Sequence, residues 1–276
     1  MKLGPAQPAC RWLRPGLCQL GFSEGERVSA REPILNVPGV IVVSLAVLAG
    51  IHAVRQLVLS ADADLEVLVL FAFIPARYSG QFAGALPGGW AAGIWSFVTY
   101  AFLHGSITHL ALNGVWLLAF GSPLARRFGA LRFIAFFLVT AAAGAAVHLL
   151  LHHGQLVPVI GASAVVSGTM AAAIRFAFQP GGPLSAWRGE PATYDVPAAP
   201  LAVALRDRRI VLFLLVWFGL NLLFGLTSWG LNGADQPIAW EAHIGGFLAG
   251  LLLFPLFDRV RSSRDRGASP PEQGVL

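Results

Sequence analysis

The chain has 276 residues, 56% of them apolar and only 12% charged, about half the charged share of an ordinary soluble domain. So few charges cannot cover a water-facing surface, which excludes a soluble globular enzyme, a disordered chain and a nucleic-acid binder and leaves the membrane as solvent. The net charge of +5 rests on arginines scattered between apolar runs, with Lys2 the only lysine, a pattern that reads as a topology signal and not as a nucleic-acid surface.

Residues 1–35 mix Arg, Glu, Pro and Gly without an apolar run, so they are expected to form a solvated tail and not a cleaved signal peptide. Cys10 and Cys18 both fall there, and neither a disulfide framework nor a metal–thiolate site follows from them. Six apolar stretches of ~20 residues, the length that crosses a bilayer as a helix, then lie near 37–59, 105–124, 131–152, 161–178, 210–229 and 239–257. The Pro- and Gly-rich segment 180–200 separates the fourth from the fifth. The expected division is therefore an N-terminal tail 1–35, a membrane domain 36–258 and a charged C-terminal tail 259–276. Lys and Arg concentrate in alternate connections, and the other side holds only Arg77, which predicts both termini in the cytoplasm. The fold class read from this is an all-α membrane protein, a six-transmembrane-helix bundle with N- and C-termini cytoplasmic. Arg55, Arg175 and His52, near the ends of spans, are expected to snorkel to the headgroups.

With that topology the second, fourth and sixth spans run the same way, and their N-terminal ends carry the unusual polar residues: His104, His109 and Asn113, then Ser163 and Ser167, then His243. Polar groups inside lipid are costly unless partnered and are functional by default when they face a bundle interior. His109 and Asn113 are four apart and share a helix face. Ser163, Ser167 and Ala171 form one small-residue stripe, and His243, Gly246 and Gly250 another, and such stripes let helices approach closely. Close packing of the fourth and sixth spans would carry His243 to Ser163, a base beside its nucleophile. Gly161 relaxes the backbone where loop becomes helix, and Ser163 then sits at a helix N-terminus whose free amides favour an anion. No acid is placed to orient His243, since Glu241 is two residues away and does not share its face, so a Ser–His dyad is expected. His104 lies at the mouth, in a supporting position. His148, His152 and His153 cluster at the end of the third span, but no carboxylate or thiolate accompanies them inside a span, so no metal and no cofactor is expected.

HGSITHLALN, GASAVVSG and AHIGGFLAG, in this order on the second, fourth and sixth spans, resemble the rhomboid family of intramembrane serine proteases over roughly residues 70–257. The resemblance implies a rhomboid-like bundle in which Ser163 is the nucleophile and His243 the general base. It further implies that His109 and Asn113 line the oxyanion hole with the Ser163 amide. Arg127 and Gly129 in LARRFG look like the end of the family's ExRxG pattern, with Ala125 where Glu is frequent. Residues 74–93, with Trp90, match the loop that lies partly in the outer leaflet. Ala164 replaces a common Gly, a minor steric change. Ser167 stands where an aromatic ring often stacks on the catalytic His, and its hydroxyl is expected to bond His243 instead.

The resulting expectation is hydrolysis of a peptide bond within transmembrane segments of other proteins, in a bacterial inner (plasma) membrane, with the lipid bilayer as surroundings and no nucleic-acid or metal partner. Trp217 and Phe218 on the fifth span are candidate gate residues. The alternative is a non-proteolytic rhomboid-like protein that binds or escorts membrane helices; such members typically lack the Ser or His, and both are present here.

Overall fold

The computed structural model of the chain describes residues 36–80, 82, 84–184, 191–226 and 239–260. The described residues from Val37 onward cluster as one compact unit. The expected tail 1–35, both cysteines and residues 261–276 lie outside the described residues.

The described chain is helical throughout, with no β-strand, and an isolated bridge joins Phe73 to Val159. In order, α1 spans Gly39–Leu57, α2 Ala61–Phe71 and α3 Gly89–Thr99; α4 spans Ile107–Trp116, α5 Ser122–Phe128 and α6 Ala130–His152. Then come α7 over Ser163–Ala173, the single turn α8 over Leu201–Ala204, α9 over Arg208–Leu226 and α10 over Trp240–Phe257. A five-residue π turn, Leu117–Gly121, links α4 to α5. Pro123 follows it, and its missing N–H interrupts the regular ladder.

Among the described residues four segments are long and apolar enough to cross a membrane: Gly39–Leu57, Ile107–Phe128, Ala130–His152 and Trp240–Phe257. Ser163–Ala173 is apolar but shorter. These segments expose aliphatic side chains outward, such as Val43, Leu57, Leu131, Leu150, Leu252 and Leu256. A lipid environment satisfies that arrangement and water does not, so the chain is an integral membrane protein. α2 and α3, eleven residues each, are helices within the stretch between the first two expected spans, and neither was expected as a separate element.

The middle of the fold is a three-helix contact. A Cβ on Gly246 would strike the backbone of Ala164, one on Gly250 would lie 2.6 Å from Gly168 Cα, and one on Gly245 would lie 2.9 Å from Gly144 Cα. α10 is thus wedged against α6 on one side and α7 on the other with backbones touching, which only residues without a side chain permit. The expected stripe on α10 is correct at Gly246 and Gly250. On α7 the closest approach to α10 is at Ala164 and Gly168, one residue beyond the expected Ser163 and Ser167, while Ala171 clusters with Phe247 and Leu251 of α10. The pairs 246–164 and 250–168 share one offset, so α7 and α10 run parallel and in register, and His243 falls at the depth of the first turn of α7.

Candidate active site

α4 begins where the Ser106 hydroxyl accepts the His109 N–H at 3.1 Å, a side-chain cap supplied by the residue type that favours it. The cap starts the helix so that His109 and Asn113 lie one above the other on the face turned to α7. The reason they reach it is Gly161, with φ +114°, where a Cβ would sit 2.6 Å from His109 Nε2 and 3.8 Å from Asn113 Nδ2. Both the backbone sign and the space demand glycine there. The chain leading into Ser163 therefore lies directly against the imidazole of His109.

Ser163 is the first residue of α7, partly exposed, with Ala162 at the cap. The α7 N-terminus offers free amide groups to whatever lies before it. Asn113 is buried and gives one amide hydrogen to His109 O at 3.0 Å, which leaves its second hydrogen to point elsewhere. His104 is fully buried, its ring 5.1 Å from that of His109, and it receives the Ala162 N–H at 3.5 Å. It thereby touches the loop that leads into Ser163.

His243 stands in the first turn of α10. Its Nδ1 is hydrogen-bonded to Asn221 Oδ1 of α9, and Asn221 in turn donates from Nδ2 to Trp217 O at 2.8 Å. That second bond fixes which way the carboxamide points, so Oδ1 is an acceptor and Nδ1 of His243 carries the hydrogen. Nε2 is then left with its lone pair. His109 and His243 lie within electrostatic reach of each other, and no hydrogen bond joins Ser163 Oγ to His243 among the described residues.

Asn221 is the residue that the sequence reading overlooked. Past its two leading arginines, α9 reads IVLFLLVWFGLNLLFGL, and a lone carboxamide in such a run was the available signal. The expected bond from Ser167 to His243 is not formed. Ser167 Oγ gives its proton to Ser163 O at 2.7 Å, the back-bonding that serines adopt in membrane helices, and His243 Nδ1 is taken by Asn221. Trp217 and Phe218, the gate candidates, both pack on Phe247 of α10, with centroids 5.2 Å away in each case.

Two other expectations are corrected. Arg55 and His52 do not snorkel: both are buried, and both reach the carbonyl of His104, at 3.0 and 3.2 Å, while Arg55 also pairs with Asp64 at 2.7 Å. Burial in lipid-facing structure forces an arginine to spend its donors internally. Arg175 likewise donates to Ala199 O at 2.8 Å and lies over the Phe254 ring. Nor are the histidines at the end of α6 without a carboxylate, because Glu241 comes to them from α10 and accepts from or donates to His152 Nε2 at 3.0 Å, according to which of the two carries the proton.

The described helices thus carry a membrane-facing exterior, a serine at the start of α7, a histidine in the first turn of α10 and an imidazole–carboxamide pair of α4 against Gly161. The rhomboid domain family matches residues 91–259, more than half of the chain, and the protein belongs to that family. No curated protein matches it.

Proposed function

We propose that the chain is an intramembrane serine endopeptidase that cleaves transmembrane segments of other membrane proteins. The observation that carries the reading is the set of groups gathered at the starts of α4, α7 and α10. Ser163 stands on free helix amides, His243 has Nε2 unbonded and Nδ1 anchored, and His109 and Asn113 lie against Gly161.

In this reading His243 Nε2 takes the Ser163 proton as the hydroxyl oxygen attacks the scissile carbonyl, and later delivers a proton to the leaving amine. Asn113, His109 and the Ser163 amide hold the oxyanion, where one donor is worth ~3 kcal/mol of the barrier. Asn221 is a positioning residue: it holds the His243 ring in the tautomer that leaves Nε2 basic, the part a carboxylate plays in a soluble triad. Gly246 and Gly250 set the seat of α7 on α10, Ser167 bonds back to the Ser163 carbonyl within α7, and His104 sets the loop before α7. A substrate helix must unwind before its carbonyl is reachable, so segments containing Gly, Ser or Pro are preferred.

The proposal includes six spans, α7 and α9 joining the four longer segments, within a membrane domain 36–258 flanked by cytoplasmic tails 1–35 and 259–276, in a bacterial plasma membrane. No metal or cofactor takes part in the reaction.

The test is co-expression of a reporter transmembrane segment with the wild-type chain or Ser163→Ala, with a serine-directed fluorophosphonate as second readout. The wild type should cut the reporter and take the label, and the variant should do neither. Cleavage that survives the substitution removes Ser163 as nucleophile. Binding of the reporter without cleavage by the wild type would place the chain among non-proteolytic members that escort membrane helices.

A further inference from the structure

The last turn of α6 and the first turn of α10 hold a polar cluster that the reaction above leaves unused. His148 and His152 are one helical turn apart with ring centroids at 4.4 Å, and Glu241 meets them from α10. One ligand atom from each of the three residues lies within 4.8 Å of the others. The hydrogen-bond accounting of the two rings is specific. His148 Nε2 is spent on Val157 O at 3.1 Å, as a donor to a carbonyl. His148 is 1% exposed, and its Nδ1 is buried with no partner at all. His152 Nδ1 meets Gln155 Oε1 at 3.0 Å, which leaves Nε2 facing Glu241. Each ring therefore has one nitrogen held by an oxygen acceptor, while the other is unpartnered in His148 and meets Glu241 in His152, the arrangement in which outer partners fix the tautomer of a metal-ligating histidine. A buried ring nitrogen left unpaired costs free energy that a ligand would recover.

We propose that His148, His152 and Glu241 form a binding site for a divalent transition-metal ion of the zinc class, with Nδ1 of His148, Nε2 of His152 and the Glu241 carboxylate as ligands. Two imidazoles and one carboxylate suit zinc and its neighbours in the first row, whereas calcium and magnesium require oxygen ligands. Zinc holds such donors at ~2.0–2.1 Å, which sets neighbouring donors about 3.4 Å apart in a tetrahedron. The His152–Glu241 edge, 3.0 Å, is close to that already, and rotation of the side chains closes the remainder. The His152 side chain is 24% exposed, so the fourth position opens to water. Bound there, the ion would staple α6 to α10 two residues before His243. The inference does not depend on the protease reading, because its readout is bound metal.

The full chain, free of affinity tags and purified in detergent, is stripped with a chelator and titrated with Zn2+ by calorimetry, with Co2+ absorbance in the visible range as a reporter of the ligand set. One equivalent should bind, with Co2+ bands of tetrahedral or five-coordinate intensity. His152→Gln and Glu241→Gln are partly exposed positions whose variants should fold. Each should weaken Zn2+ binding at least as much as the loss of an outer partner does, about 10- to 100-fold. His153→Gln, at a ring turned to Tyr78 O, and Ser163→Ala should bind as the wild type does. Binding below one equivalent, or an affinity unchanged in His152→Gln and Glu241→Gln, overturns the site.

Discussion

Asn221 offers the sharpest contrast between geometry and composition at the scale of single residues. Its carboxamide accepts from His243 Nδ1 while its own N–H is committed to Trp217 O, so it has one orientation and one task. Asn221→Ala should lower kcat by about tenfold or more while leaving KM near its wild-type value, since the loss concerns the reacting ring and not substrate binding. Asn221→Asp, which keeps an acceptor at the same place, should restore most of the rate; equal losses in both variants would reduce the residue to packing. Asn113→Ala should cost about 10²- to 10³-fold in kcat, the usual effect of removing one oxyanion donor, measured on the same reporter segment. Ser163, His109, Asn113 and His243 were legible because rare polar residues at the same ends of apolar spans are conspicuous. Asn221 and Glu241 were not, because their partners lie on other helices and no spacing along the chain links 221 to 243 or 241 to 152.

The helices themselves were legible wherever a long apolar run stood alone, as in α1, α6 and α10. α2 and α3 escaped because eleven residues cannot cross a bilayer, and the search for spans passes over helices that only lie against them. The packing of α10 illustrates the limit of stripe reading: the small-residue faces of α7 and α10 were both visible, but only coordinates show that Gly246 meets Ala164 and Gly250 meets Gly168. Because the contact is backbone to backbone, Gly246→Leu cannot be absorbed by a rotamer change. Its overpacking cost, about 1–3 kcal/mol or more, should appear as a lower apparent melting temperature in detergent, with loss of cleavage. Gly219, inside α9, whose added Cβ would meet nothing within 4 Å, is the control: Gly219→Ala should melt at or slightly above the wild type.

At the scale of the whole molecule, buried charge links distant parts of the chain. Arg127, in α5, is enclosed and donates to both oxygens of Asp258 at 2.8 and 2.9 Å, and to the carbonyls of Tyr194 and Val196 at 2.7 and 2.8 Å. It thus joins the end of α10 to α5 and to the loop after residue 191. The sequence pattern around LARRFG marked Arg127 without giving its partner, since Asp258 is 131 residues away. Arg127→Met should destabilise the protein by up to about 3 kcal/mol, because it removes the counter-charge from a largely enclosed carboxylate that keeps only the Val260 N–H. The double variant Arg127→Met with Asp258→Leu should recover much of that loss, and thermal unfolding of the three proteins separates the pair from its geometry.

The shared carbonyl of His104, gripped by His52 and Arg55 of α1, sets a boundary on how far the protein can be trimmed. Those two anchors precede residue 91, where the family match begins, and so does Asp64, which holds Arg55 in place. A polypeptide cut down to the matched region would keep Ser163, His243, His109 and Asn113 and lose the clamp beneath the segment that carries His104, the ring that receives the Ala162 amide beside Ser163. The smallest active unit of this protease-like chain should therefore start ahead of α1.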